Sequence, residues 1–107
     1  MASRGYRNRD GDGPTLPHAV PLEPPHLTRL SWELASRVID DDASSRRSRW
    51  ERTGSPWSLS VFDVTSETVV LRVRTPTGRE RFYGAASMDL REVSPSLEAA
   101  SRWRRVE

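Results

Sequence analysis

Between positions 27 and 39 the apolar residues Leu27, Leu30, Leu34, Val38 and Ile39 recur at the i, i+3, i+4 spacing of one helix face. Arg29, Glu33, Ser36 and Arg37 fill the face between them, and Thr28 or Ser31 suits the N-cap. Three acids, Asp40, Asp41 and Asp42, follow. Carboxylates oppose the negative end of a helix dipole, so a break is expected at 40–44. A second short helix is expected over 44–50, stopped by Gly54, Ser55 and Pro56.

From 57 to 93 the period changes to two. Residues 57–64 alternate, and 67–75 are rich in β-branched Thr and Val. Thr75, Pro76, Thr77 and Gly78 form a turn signal, with 79–83 as the return strand. Residues 88–93 are expected to add a fourth, short strand. Opposed residues in an antiparallel pair share a face. Pairing Val73 with Phe82 and Arg74 with Arg81 separates apolar from basic positions better than pairing Val73 with Arg81. On that register Val69, Leu71, Val73 and Phe82 share one face, which Phe62 and Val64 join. Val70, Arg72, Arg74, Arg81 and Tyr83 share the other, with Trp57, Leu59 and Val61.

Ser94 and Pro95 read as the N-cap and first position of a closing helix, with Arg102, Arg104 and Arg105 in its last turn. At the other end, residues 1–26 mix charges and Gly with Pro14, Pro17, Pro21, Pro24 and Pro25. Such a stretch favours extended, unpacked chain. The expected fold is therefore α+β. A disordered Pro-rich N-terminal arm (1–26) precedes a single small domain (27–107). That domain comprises an amphipathic helix, a three- to four-stranded antiparallel sheet and a short C-terminal helix.

Composition narrows the function classes. With 107 residues the chain holds one domain, too short for a TIM barrel or a full dinucleotide-binding fold. Absence of Cys excludes disulfide scaffolds and thiolate zinc sites. All 17 basic residues are Arg, yet the net charge is only +2. Near balance does not by itself call for nucleic acid or an anionic membrane. No apolar run is long enough to cross a membrane, and no apolar stretch follows the charged N-terminus, so the expected location is cytoplasmic.

Candidate chemistry is sparse. His18 and His26 both lie in the Pro-rich stretch, outside any metal-ligand spacing, and a catalytic base needs a fixed position. Asp40, Asp41 and Asp42 lack the alternation of a calcium loop. The expectation is no enzyme, no cofactor and no metal. Basic charge peaks at 43–56, where Arg46, Arg47, Arg49 and Arg52 surround Trp50 with one Glu, a net of +3. The string at 48–52 recurs nearly unchanged at 101–105, around Trp103. Arg contacts phosphates while an indole stacks on bases, so these residues, with Arg72, Arg74, Arg81 and Tyr83, are candidates for RNA or single-stranded DNA. The same residues suit a protein interface, where Arg and Trp are enriched at hot spots. Equally, each Trp is a core anchor under Arg stems. The leading expectation is a small non-enzymatic interaction or regulatory module binding a protein partner or itself; a nucleic-acid binder is the alternative.

Overall fold

The computed structural model describes residues 15–39 and 46–106. Among them are six strands, β1 (Thr28–Leu30), β2 (Arg46–Arg52), β3 (Ser58–Asp63), β4 (Thr68–Arg74), β5 (Glu80–Ala86) and β6 (Trp103–Arg105). Two helices, α1 (Trp32–Val38) and α2 (Ser87–Glu98), complete the set. All strand neighbours are antiparallel, in the order β1-β5-β4-β3-β2-β6. The architecture is α+β, but the expected three- to four-stranded sheet has six strands. The disorder expected of residues 1–14 lies outside the described residues. So do the break expected at 40–44 and its acids Asp40, Asp41 and Asp42.

Two of the additional strands grow around single tryptophans. β2 replaces the helix expected over 44–50. Ser48 and Trp50 are buried on one side while Arg49 and Glu51 stay half-buried on the other. That period of two rests on one large apolar residue in a run of Ser and Arg. β6 forms in the same way at Trp103, and the two similar strings lie side by side. Trp50 faces Arg105, Glu51 faces Arg104 and Arg52 faces Trp103.

The 27–39 stripe is divided. Thr28–Leu30 becomes an edge strand on β5. Ser31, in extended conformation, then caps α1, its Oγ accepting from the Leu34 N–H at 3.1 Å. From this segment's second half the small Ala35, with no exposed surface, and Ile39 turn toward the sheet.

α2 occupies the expected fourth strand at 88–93 and starts well before Ser94. Its N-cap, Ala86, makes no side-chain cap; the Ser87 N–H donates to the Glu67 carbonyl at 2.8 Å instead. A tertiary bond thus satisfies one terminal donor that a capping side chain usually takes. Pro95 lies inside this helix, where it offers no N–H to the Arg91 carbonyl. The Ser94 hydroxyl donates to that carbonyl at 3.2 Å. Ser94 therefore repairs a helix interior; it does not begin one.

The β4–β5 register is the one that face separation disfavours: Val73 faces Arg81, Arg72 faces Phe82 and Arg74 faces Glu80. The turn decides it. The Gly78 N–H donates to the Thr75 carbonyl at 2.9 Å, Gly78 takes φ +89°, and the Thr75 N–H donates to Arg79 at 2.8 Å. A β-turn followed by a left-handed glycine is the three-residue hairpin loop. Arg72 tolerates its apolar surroundings because its guanidinium lies 5.1 Å from the Phe62 ring centroid. The face assignments change accordingly. Leu59 and Val61 oppose Val73 and Leu71, while Phe62 opposes Val70 on the other side.

The sheet separates two apolar layers. One face carries Trp50, Leu59, Val61, Val69, Leu71, Val73, Tyr83 and Trp103, covered by Leu90 and Leu97 of α2. Leu16, Val20, Leu22 and Leu27 cover the same face. Residues 15–26 thus lie as a strap on the sheet, turning at 17–20, where the Val20 N–H donates to the Pro17 carbonyl at 2.9 Å. The opposite face is smaller: Phe62, Val70 and Phe82 lie under Ala35 and Ile39.

Candidate functional site

The arginines and aromatics singled out in the sequence do not form one platform. Trp50 is buried, its indole N–H donating to Ser48 Oγ at 3.2 Å. Trp103 is buried too, its N–H donating to the Ala19 carbonyl at 3.1 Å. Tyr83 is 1% exposed, with the Arg29 guanidinium 5.7 Å from its ring centroid. None of the three offers a ring face for a base to stack on.

The arginines divide by face. Arg49, Arg72, Arg74 and Arg104 lie on the α1 side of the sheet, interleaved with Glu51 and Glu80. Arg49 Nη2 meets Glu51 Oε2 at 3.0 Å. Arg74 meets Glu80 Oε2 through Nη2 at 2.6 Å and Nε at 3.1 Å, and Arg72 Nε lies 4.0 Å from the same oxygen. Arg81, opposite Val73, lies on the α2 side, so it does not join Arg72 and Arg74. Arg52 donates to Ser55 Oγ at 2.6 Å. Arg46 and Arg47 open β2 at a register shift between Arg46 and Ser48. The α1 side of the sheet is therefore mixed in sign, with Arg49, Arg72 and Arg74 near Glu51 and Glu80.

A different surface stands out. On α1, Trp32 is 66% exposed and Leu34 48% exposed. Both are there because α1 sits on the sheet through Ala35, whose small side chain brings the helix close and turns its larger neighbours outward. Beside Leu34 runs an apolar groove of about 550 Å³. Leu30, Leu34, Val64 and Val70 line it, small residues such as Thr68 and Gly84 keep it open, and His26 and Glu67 stand at its rim. A β-carbon at Gly84 would meet the Leu30 methyls at 3.8 and 3.9 Å and Thr28 Cβ at 4.0 Å, all ordinary contact distances, so this lining has room. On the other side of α1, Trp32 borders a smaller hollow with Ser36, Ile39, Arg72, Glu80 and Phe82. Trp32 was not among the sequence candidates. The available signal was its position out of phase with the 27–39 stripe, an indole among Glu33, Ser36 and Arg37.

Met88, 68% exposed, is a single apolar residue on α2 and marks no patch. Among the described residues no three His, Asp or Glu side chains converge as a metal site. None of the described helices is long and apolar enough to cross a membrane. Comparison with family models, with curated proteins and with solved structures found no match to this chain.

Proposed function

We propose that the chain is a non-enzymatic protein-interaction module of the cytoplasm, and that its contact surface is the α1 side of the sheet. The observation that carries this reading is the pairing of an exposed indole, Trp32, with an apolar groove beside Leu34 on the same short helix. Contiguous exposed apolar surface rimmed by polar residues marks interaction sites, and Trp is the side chain most enriched at hot spots. The edges of the sheet support the reading as well. β1 and β6 have three residues each and carry Arg29 or Arg104 and Arg105, so they discourage strand addition and leave the face as the means of contact.

Burial of Trp50, Trp103 and Tyr83 favours this reading over nucleic acid, since base stacking needs exposed rings. The test is affinity capture from the native cells with the full chain and with Trp32→Ala, with and without nuclease, alongside light scattering of the purified chain. The expected result is self-association or a captured protein that Trp32→Ala loses and nuclease does not release. Recovery that is unchanged in Trp32→Ala, or abolished by nuclease, contradicts it.

A further inference from the structure

We infer that the chain carries a second, separate site: a small hollow on the α2 side of the sheet that binds a monocarboxylate with a compact apolar body. The hollow measures about 150 Å³ and lies where the strap, β2, β3, α2 and β6 meet. Leu22, Val61, Leu90 and Leu97 form its apolar wall. All four are buried in the larger core layer, so packing that the fold already requires holds the wall in place. A cavity of ~150 Å³ with aliphatic walls takes up a benzene ring, which sets the size of the apolar body.

The polar lining sets the headgroup. Ser48 is 8% exposed, and its Oγ accepts from the Trp50 indole N–H at 3.2 Å. Among the described residues nothing accepts the Ser48 hydroxyl proton. A buried donor left unmatched costs free energy, so an acceptor oxygen is favoured there. Arg91 is exposed on α2, and among the described residues its guanidinium makes no ion pair or hydrogen bond. Arg105 brings a second guanidinium from β6; it faces Trp50 across the ladder and so shares a face with Ser48, two residues along β2. The Ser94 hydroxyl is already committed to the Arg91 carbonyl and adds no donor. Glu98 is the acid in the lining, so two Arg against one Glu leave a net of +1. That balance favours a single negative charge over a phosphate or a dicarboxylate. A carboxylate accepts from a hydroxyl and a guanidinium at once, in charge-assisted bonds, while its apolar body lies on the aliphatic wall.

Benzoate is the probe, with benzyl alcohol as the neutral counterpart and inorganic phosphate as the bare anion. Each is titrated at constant ionic strength into the isotope-labelled full chain. Amide and indole shifts are expected to saturate with benzoate and to map to residues 22, 48–50, 61, 90–98 and 105. Benzyl alcohol and phosphate keep one half of the recognition each and should bind roughly tenfold or more weakly. Benzoate should also raise the thermal midpoint, since a ligand held only by the folded chain stabilises it. Arg91→Ala, at an exposed position, should keep its unfolding midpoint and bind benzoate roughly tenfold more weakly. Ser48→Ala should weaken binding too, with circular dichroism verifying its fold because the Trp50 N–H loses its acceptor. Arg79→Ala, exposed and outside the hollow, should bind like the wild type. Benzoate shifts that fail to saturate by roughly ten millimolar overturn the inference. So does benzyl alcohol or phosphate binding as tightly as benzoate, or a folded Arg91→Ala or Ser48→Ala chain that binds benzoate like the wild type. The outcome is independent of the α1 face, because no residue of this hollow belongs to that surface.

Discussion

Trp103 connects three distant parts of the chain. It lies on β6 opposite Arg52, is buried with Trp50 in the larger core, and its indole N–H reaches the Ala19 carbonyl across 3.1 Å. A net hydrogen bond of this kind contributes about 0.5–1.5 kcal/mol, and leaving a buried partner unpaired costs somewhat more. Trp103→Phe keeps the ring in the core and removes the donor. Urea unfolding is expected to show a loss of about 1–2 kcal/mol, with faster proteolysis in the strap at 15–22. An unchanged midpoint would mean that the strap is not held through this bond. Trp50 has an equivalent but local arrangement, donating to Ser48 two residues away. Both indoles point inward with their donors satisfied, so the arginine-flanked tryptophans work as anchors of the sheet.

At the level of elements, α1 offers a direct contrast between pattern and packing. The apolar stripe at 27–39 assigns Leu34 to the core, whereas it is Ala35 that lies against the sheet. Leu34→Ala is expected to change stability by no more than about 0.5 kcal/mol, as at other exposed positions. Ala35→Leu inserts three carbons between helix and sheet and is expected to cost about 1–3 kcal/mol. Thermal midpoints of the two variants check both; the reverse order would restore the single-stripe helix. How much was legible follows from how many residues signal each element. β3 and β4 are readable because several apolar residues mark each of them, and the 75–78 turn because it carries Pro76 and Gly78. β2 and β6 each rest on one Trp. α2 has no capping side chain at Ala86, and its Ser94 and Pro95 imitate a helix start. The β4–β5 register is not legible in the pattern because Arg72 reads as polar, whereas its guanidinium lies over the Phe62 ring. At the candidate surface, Glu33 and Arg37 mark the face between the apolar positions, and the exposure of Trp32 depends on a helix–sheet distance that no local pattern encodes.

Across the whole molecule, the strap decides how small the folded unit is. Taking residues 1–26 as disordered leaves about 80 residues, few for a stable core. Leu16, Val20 and Leu22 are buried with the larger apolar layer, so the folded unit extends into the Pro-rich stretch. Leu22→Ala, at a position 3% exposed, is expected to cost about 2–5 kcal/mol in chemical denaturation; a disordered arm predicts no change. With that face closed by the strap and α2, the α1 side is the remaining apolar face, and the account's central claim is that proteins meet the chain there. The most direct measurement is a set of amide chemical-shift maps of the isotope-labelled full chain, recorded over a dilution series and again with any captured partner. The account predicts concentration-dependent shifts confined to 28–34, 64–70 and 84–86. Shifts confined to the β2–β6 edge around Arg49, Arg104 and Arg105, or none under either condition, would contradict it.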